Sequence, residues 1–242
     1  MGSMFDEDYF ITEISKYSYT FPDPKVASDE GLLAYGGDLS PNRLLTAYRK
    51  GIFPWFNEGD PILWWSPNPR LILYPNEFKV SKSFRKVLRN KEYSVKFDHN
   101  FDHTILMCAK IREHKEGTWL IKEMREAYKE LHRMGFAHSV EVYSEGRFIG
   151  GLYGVAMGRA FFGESMVSLE PNGSKIALKA LSDVLTLRGY DFIDCQVPTS
   201  HLQSLGARLI DREVFLEQLE SALNSGGDIG SWRSFEWEYK DG

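Results

Sequence analysis

The chain has 242 residues, a formal net charge of −5 and 43% hydrophobic residues. This length can bury one large core or two smaller ones, and the composition is ordinary for a soluble globular protein. No stretch approaches the roughly 18 uninterrupted apolar residues of a membrane-spanning helix. Two cysteines are too few for a disulfide framework or a cysteine-based metal cluster. The opening has no signal-peptide pattern and its Met-Gly-Ser, residues 1–3, is typical of an expression-tag remnant, so we expect a cytoplasmic protein.

The first clear element is a helix between Ser40 and Gly51. Ser40 is a favourable N-cap, Pro41 suits the first helical position, and Gly51 is a typical terminator. The segment 51–70 that follows is so dense in Pro, Gly and aromatic residues that we predict an ordered loop without long elements. Its tryptophans at positions 55, 64 and 65 predict either packing between domains or a stacking surface.

Positive charge is concentrated in one segment, residues 79–91, which contains Lys and Arg but no acidic residue, whereas the end of the chain is acidic. A helix is predicted from Ser81, with Phe84 and Leu88 on its apolar face. Its opposite face and end carry the basic residues Lys82, Arg85, Lys86, Arg89 and Lys91. Such a face is either simply solvated or a surface for phosphate groups.

The remainder of the chain alternates between helical and strand periodicity. After two helical patterns, three consecutive strand patterns are followed by helix, strand, short helical turn, strand and helix. The helices are predicted at 100–113, 118–134, 174–188 and 212–224, and the strands at 138–144, 147–157, 159–167, 192–196 and 207–211. This order predicts an α+β fold with a mixed, mostly antiparallel sheet and a helical crossover.

Two of these strands carry acidic residues where apolar ones are expected. In the strand "FIDCQ", alternation predicts that Asp194 and Gln196 share one face and that Cys195 packs on the other. In "FFGESMV", Glu164 shares a face with Phe162 and Met166. A buried carboxylate needs a partner, so the pattern favours either a structural polar pair or a site for a cationic or amine-bearing ligand.

Several longer motifs occur in one order: "GLLAYGGDLSPNRLLTAYRKGIFPWF", "DPILWWSPNPR", "EGTW", "AHSVEVY", "GGLYGVAMGRAFFGESM", "NGSK", "DCQ" and "SLGA". In order and spacing the chain resembles the bacterial leucyl/phenylalanyl-tRNA–protein transferases, from about Phe21 to about Phe215. Two departures occur, because the family pattern has Asn-Ala-Ser-Lys where this chain has "NGSK", and Met where it has Leu152. The second departure affects a pocket position and hence the relative acceptance of Leu and Phe.

The resemblance implies an enzyme that moves leucine, phenylalanine or methionine from aminoacyl-tRNA to the N-terminal Arg or Lys of proteins, which marks them for degradation by the N-end rule. It also implies a small N-terminal domain, residues 1–68, and a catalytic domain similar to the GNAT acyltransferases, residues 69–242. No cofactor or metal is implied, because an aminoacyl ester is already activated for attack by an amine. No membrane is implied as a partner.

The resemblance also implies roles for single residues. Asp194 and Gln196 would act at the reacting amine, and Glu164 with Asp194 would bind the basic N-terminal residue. The tRNA 3′ end would meet Tyr48, Trp55 and Trp119, and the acceptor stem would meet the basic residues of 82–91. The pocket for the aminoacyl side chain would comprise Leu152, Phe161, Met166, Leu181 and Ile193.

Orienting the reactants offers such a site a larger gain in rate than general base catalysis does. General base catalysis adds about 10² to 10⁴ in rate, whereas well-oriented reactants gain roughly 7 to 11 kcal/mol. An ordinary carboxylate is a poor base for an amine, so we expect Asp194 chiefly to orient Gln196 and the amine.

Three alternatives stay open at the level of the sequence. A CoA-dependent acetyltransferase of the same fold would need a glycine-rich pyrophosphate turn, which "SLEPNGSKIAL" lacks. An aminoacyl-tRNA-dependent ligase of cell-wall peptides would share the acyl donor but use another amine. A non-catalytic tRNA-binding module would retain the basic helix without needing the two acids and Gln196.

Overall fold

The computed structural model describes residues 11–90, 92–113 and 120–241, and these form two β-sheets with seven α-helices. The smaller sheet has four strands in the spatial order β1-β2-β4-β3. Its first pair is parallel and the other pairs are antiparallel. The strands are β1 (Thr12–Ile14), β2 (Leu32–Gly36), β3 (Phe53–Pro54) and β4 (Leu63–Trp65).

The larger sheet has seven strands in the order β11-β5-β10-β9-β8-β7-β6. Every pair is antiparallel except β9 with β10, which is parallel. The strands are β5 (Arg70–Leu73), β6 (Ser94–Phe97), β7 (Ala137–Ser144), β8 (Arg147–Met157), β9 (Ala160–Ser168), β10 (Phe192–Gln196) and β11 (Arg208–Ile210).

The helices cover both faces of the larger sheet. They are α1 (Pro41–Arg49), α2 (Lys82–Asn90), α3 (Phe101–Glu113), α4 (Lys122–Arg133), α5 (Gly173–Leu187), α6 (Ser200–Ser204) and α7 (Arg212–Leu223). Helix α5 is the crossover between the parallel strands β9 and β10, and it packs on β7, β8 and β9. Among the described residues, no helix is both long and apolar enough to cross a bilayer.

The larger sheet separates two apolar clusters, and alternation along its strands assigns residues to one or the other. On β5, Ile72 belongs to the cluster built with the smaller sheet, α1, α3, α4 and α7. Its neighbours Leu71 and Leu73 belong to the cluster built with α2 and α5. The second cluster also contains Trp232 and Tyr239, so the segment after α7 is packed although it has no regular secondary structure.

The α+β class, the mixed, mostly antiparallel sheet and the helical crossover predicted from the sequence are confirmed. The segment 51–70, predicted as an ordered loop without long elements, contains two short strands, β3 and β4, which were not predicted. Strands β1, β2, β5 and β6 were also not predicted. Each has three to five residues, too few for alternation to be recognised. The boundary after residue 68 stays a prediction; the last strand of the smaller sheet ends at Trp65.

Candidate active site

Two register irregularities, one within β9 and one near the end of β10, bring the candidate polar residues together. The parallel pairing of β9 with β10 ends where Asp194 lies opposite Phe162. Just beyond, the β8–β9 register shifts so that Glu164 has no partner across the ladder, and the β10–β5 register shifts around Cys195. Gln196 has a left-handed backbone conformation, with φ of 65°. Bulges of this kind re-aim side chains, and here Gln196 Nε2 donates to Glu164 Oε1 at 2.8 Å.

An apolar cavity opens at this point, with a volume of about 340 Å³. One wall comes from the β3 segment and the others come from β8, β9, β10, α5 and α6. The apolar lining residues are Phe53, Pro54, Trp55, Leu152, Phe161, Met166, Leu178, Leu181, Ile193, Val197 and Leu202. Glu164, Ser165, Gln196, Thr199 and His201 add polar atoms. The cavity therefore combines an apolar interior with a few polar groups, which is typical of a small-molecule site.

Glu164 is the centre of a buried hydrogen-bond network. Tyr48 Oη donates to its Oε1 and Tyr128 Oη to its Oε2, both at 2.7 Å. The two hydroxyl oxygens are themselves 2.6 Å apart, and both tyrosines are fully buried. Burial raises the pKa of Glu164 to about 7, helped by the nearby charge of Asp194 and opposed by the hydrogen bonds it accepts. Glu164 therefore changes its charge near neutral pH.

Asp194 is neutralised from inside the protein. Arg70 donates from Nε to Oδ1 at 2.8 Å and from Nη2 to Oδ2 at 2.6 Å. The guanidinium lies 4.8 Å from the ring centre of Phe53 and 4.5 Å from that of Phe215. Asp194 Oδ1 also accepts the backbone N–H of Gln196 at 2.9 Å. The ion pair thus fixes the backbone of the residue that faces Glu164.

The rim of the cavity carries an exposed aromatic residue. Trp55 is 45% exposed, and its ring centre lies 5.6 Å from that of Trp65. Trp65 Nε1 donates to the carbonyl of Trp55 at 2.6 Å, which holds the rim in place. Trp64, in contrast, is fully buried against Phe21. One tryptophan is therefore available for stacking at the cavity, whereas another forms core.

Two family models match this chain. Residues 72–220 match the model described as leucyl/phenylalanyl-tRNA protein transferase, and residues 37–68 match that of its N-terminal domain. The chain belongs to this family. A Desulfatibacillum aliphaticivorans transferase is 54% identical over 88% of this chain and 91% of its own length. The Pseudomonas fluorescens enzyme is 52% identical over 88% of this chain and 96% of its own length. The chain is thus an aminoacyltransferase.

Two solved structures overlap with part of this transferase. An aminoglycoside acetyltransferase from an uncultured soil sample, in complex with sisomicin, has 11% identity and a TM-score of 0.37, covering 62% of this chain and 99% of its own. The L-PGS structure from Bacillus licheniformis has 13% identity and a TM-score of 0.40, covering 71% and 56%.

The structure brings the five predicted pocket residues of the transferase into one cavity. Leu152, Phe161, Met166, Leu181 and Ile193 all line it. Other lining residues were not predicted from the sequence, among them Leu178 on α5 and Leu202 on α6. Helical spacing was an available signal for Leu178, which lies one turn before Leu181. Nothing in the sequence marked Leu202.

The faces predicted for the two strands need correction. Gln196 faces the cavity together with Cys195, whereas Asp194 is absent from its lining. On β9, Phe162 likewise packs away from the cavity, 5.0 Å from the Tyr48 ring, while Glu164 and Met166 line it. The physical reason is the pair of bulges, because an extra residue breaks strict alternation.

Two residues predicted to contact a ligand are fully buried. Asp194 is one of them, and both of its oxygens accept hydrogen bonds from Arg70. Tyr48 is fully buried and offers no ring surface to the tRNA end. Its hydroxyl acts inside the protein, on Glu164. Trp119 and Lys91 lie outside the described residues.

The residues that hold the two acids were not predicted from the sequence. Arg70 sits in a short strand after "SPNP", and Tyr128 lies on the buried face of α4. Each is far from its acid in sequence, by 124 and 36 residues, so local patterns carry no signal of the pairing. Within the described residues, no group of three or more His, Cys, Asp or Glu is placed to hold a metal ion.

Proposed function

We propose that this transferase moves leucine or phenylalanine from aminoacyl-tRNA to the N-terminal Arg or Lys of a protein, in the cytoplasm. The observation that carries the proposal is the cavity that ends at the Gln196–Glu164 hydrogen bond. Its apolar interior suits a Leu or Phe side chain. Its polar end suits the ester carbonyl and the attacking amine.

Gln196 is the residue we assign to the reacting amine. Its Nε2 donates to Glu164, which orients the carboxamide so that its Oε1 accepts a hydrogen bond from the amine. The amine nitrogen then forms a bond to the carbonyl carbon of the aminoacyl group, and the bond from that carbon to the ribose oxygen breaks. The proton lost by the amine ends on the ribose oxygen. No other reactant is needed.

Asp194 contributes to this step as a positioning residue. Its contact with the Gln196 backbone N–H holds the left-handed conformation that turns the carboxamide toward Glu164. Arg70 in turn holds Asp194. Preorganisation of this kind is the larger source of rate when the ester is already activated.

Glu164 is the acidic residue among those that line the cavity, and it is our candidate for binding the cationic N-terminal residue of the acceptor. A charge-assisted hydrogen bond is roughly twice as strong as a neutral one. In the apolar part, a single methylene discriminates by only about 1–3 kcal/mol. The proposal therefore includes tolerance of Leu, Phe and Met as donors but strict selection of basic acceptors.

The exposed cations of α2 and the rim tryptophan are our candidates for tRNA contacts. Lys82, Arg85, Lys86 and Arg89 are all exposed, whereas Phe84 and Leu88 of the same helix are buried. Phosphate contacts of this type fix position and carry little sequence information. Trp55 presents a ring on which a terminal base stacks, an interaction of about 1–3 kcal/mol.

The testing experiment measures transfer of labelled leucine from leucyl-tRNA to peptides that begin with Arg, Lys or Ala. We expect label on the Arg and Lys peptides alone. Gln196→Ala should lower kcat by at least about 10²-fold, whereas Gln218→Ala is the matched control with near-normal rate, because Gln218 is a half-buried residue of α7 that accepts from Tyr74 Oη and does not line the cavity. Asp194→Asn should lower kcat with a smaller change in KM.

Two outcomes would contradict the proposal. Equal labelling of the Ala peptide would remove the basic-acceptor specificity. Absence of label on every peptide, with leucyl-tRNA still bound, would favour a cell-wall peptide ligase or a non-catalytic tRNA-binding module.

A further inference from the structure

Trp232 lies beyond both segments matched by the family models, the later of which ends at residue 220. It is only 1% exposed and is among the largest fully buried side chains of the described residues. The rings of His138 and Phe235 stack on it, with centres at 3.8 and 5.2 Å. The Tyr190 ring meets it at 6.3 Å in an edge contact. The irregular C-terminal segment thus places one large ring inside the catalytic core.

Polar contacts fix the position of this ring. The Trp232 backbone N–H donates to Asp98 Oδ2 at 2.8 Å, and its indole Nε1 donates to the carbonyl of Asp228 at 3.2 Å. Asp98 also bonds His138 Nδ1 at 2.9 Å, so the same carboxylate holds both members of the stacked pair. The position of Trp232 is therefore set by one hydrogen bond from its backbone and one from its indole.

The fourth ring in contact with Trp232 is Phe161, at 5.9 Å between centres. Phe161 lines the cavity, whereas Trp232 does not, so Trp232 lies behind the Phe161 wall. Gly154 bounds the same ring elsewhere: a Cβ atom there would come within 2.5 Å of Phe161 Cε1. Phe161 is thus confined by a glycine backbone and by the indole of Trp232.

We propose that Trp232 is a specificity-determining residue, which sets the depth of the cavity by holding Phe161 forward. This inference rests on the proposed function, in which the cavity receives the aminoacyl side chain. A shallower cavity favours the shorter Leu side chain over Phe. Trp232 can set this depth through Phe161, because packed interiors transmit a change in one side chain to its neighbours. Trp232 itself does not touch the donor and acts through Phe161.

The first test replaces Trp232 by Phe and compares kcat/KM for leucyl-tRNA and phenylalanyl-tRNA. The smaller ring gives Phe161 room to retreat, so we expect the Phe to Leu ratio of kcat/KM to rise by about three- to tenfold. The change should appear mainly in KM for phenylalanyl-tRNA. If the Phe variant does not fold, Trp232→Tyr is measured in the same way and should shift the ratio in the same direction.

Trp237→Phe is the matched control. Trp237 lies in the same segment and packs on Tyr93 and Tyr239. We expect it to lower thermal stability without moving the substrate ratio. A Trp232 variant that loses rate equally with both donors would assign Trp232 a merely structural role and overturn the inference.

Phe161→Leu and the double variant separate this inference from the proposed function. If Trp232 acts through Phe161, Trp232→Phe should leave the ratio unchanged in a Phe161→Leu background. A ratio that Phe161→Leu moves but Trp232→Phe does not would overturn the inference alone. A ratio that Phe161→Leu leaves unmoved would instead overturn the assignment of the cavity, and the proposed function with it.

Discussion

Glu164 and Asp194 are buried acids on neighbouring strands, yet their partners give them different properties. Asp194 is held by a guanidinium, so its charge is compensated inside the fold. Glu164 is held by neutral groups, two tyrosine hydroxyls and a carboxamide. The three short contacts among Tyr48, Tyr128 and Glu164 require three hydrogens, whereas the hydroxyls supply two. When Glu164 is protonated, it donates to one of the two tyrosine oxygens in place of accepting from it, and all three contacts then have a hydrogen, which agrees with its raised pKa.

This difference predicts a pH-dependent stability that Glu164→Gln removes. In the folded protein the pKa of Glu164 is about 7, against an ordinary value of 4.5, so the folded state binds the proton more tightly. The contribution is fully present below pH 4.5 and is lost as the pH rises to 7. It amounts to roughly 3 kcal/mol at most. Urea unfolding of both proteins between pH 4.5 and 8 measures it.

Glu217→Gln is the control for this titration, because Glu217 is exposed on α7. Its free energy of unfolding should follow that of the wild type at every pH. A constant difference between wild type and Glu164→Gln across the whole range would show that Glu164 does not titrate in this interval.

Single residues also show which features of the site can be predicted from the sequence. The five pocket residues follow from motif matches, and all of them line one cavity. The face of Asp194 was predicted wrongly because alternation presumes a regular strand. The strand is bulged where Gln196, a non-glycine residue, takes a positive φ. Asp194 stabilises this conformation by accepting the Gln196 backbone N–H, and Asp194 is itself held by the distant Arg70, a contact that a local pattern does not contain.

At the scale of elements, α2 and the end of the chain form one unit of opposite charges. Arg85 and Arg89 of α2 both pair with Asp241, and Arg89 lowers the pKa of the Asp241 carboxyl. Lys82 and Lys86 extend the same exposed face. Two of the cations that we assign to tRNA phosphates are therefore shared with a carboxylate of the protein itself.

Asp241→Asn should consequently strengthen tRNA binding. Exposed ion pairs are weak, so we expect the affinity for aminoacyl-tRNA to rise by about two- to fivefold at low salt. The dependence of affinity on salt should become steeper, because each phosphate contact adds to counterion release. Titration of labelled tRNA at salt concentrations between about 50 and 200 mM measures both the affinity and its dependence on salt.

Asp228→Asn serves as the comparison, because Asp228 pairs with Arg188, just after the end of α5, and not with α2. It should leave the affinity and its salt dependence unchanged. Equal effects of the two substitutions would mean that Asp241 acts only through the net charge of the protein and not through its ion pairs with α2.

The elements themselves were predictable in proportion to their length. Helix α1 begins at Pro41 and ends before Gly51, as its capping residues predicted. The amphipathic α2 was predicted from its basic face. Strand β3 has only two residues and β4 three, so neither shows a period of its own. Both exist because they pair with β2 and with each other, which is tertiary information.

At the scale of the whole molecule, the site is assembled from parts that are distant in the chain. The smaller-sheet region supplies Phe53 to the cavity and Tyr48 to the Glu164 network. Helix α4 supplies Tyr128, and the C-terminal segment supports Phe161 through Trp232. Packing of the N-terminal region on the larger sheet therefore completes both the cavity wall and the hydrogen-bond network of Glu164.

Tyr48→Phe tests this coupling, because it removes one hydroxyl and little volume. Tyr128 and Glu164 each lose a buried partner, so the free energy of unfolding should fall by about 1–3 kcal/mol. Loss of a donor to the carboxylate also raises the pKa of Glu164 further. If ionised Glu164 orients Gln196, the rate of transfer should rise with pH near 7 in the wild type and at higher pH in the variant. Transfer rates between pH 6 and 8.5 measure the displacement.

Two features make this comparison decisive. The α-amine of the acceptor titrates at about 7.7 to 8.0 in both proteins, so the difference between the profiles reports on the enzyme. Tyr74→Phe is the matched control, since Tyr74 Oη donates to Gln218 Oε1 at 3.0 Å, away from Glu164. It should lose some stability and keep the wild-type pH profile. A Tyr48→Phe profile that also coincides with the wild type would mean that Tyr48 joins the two sheets without setting the charge of Glu164.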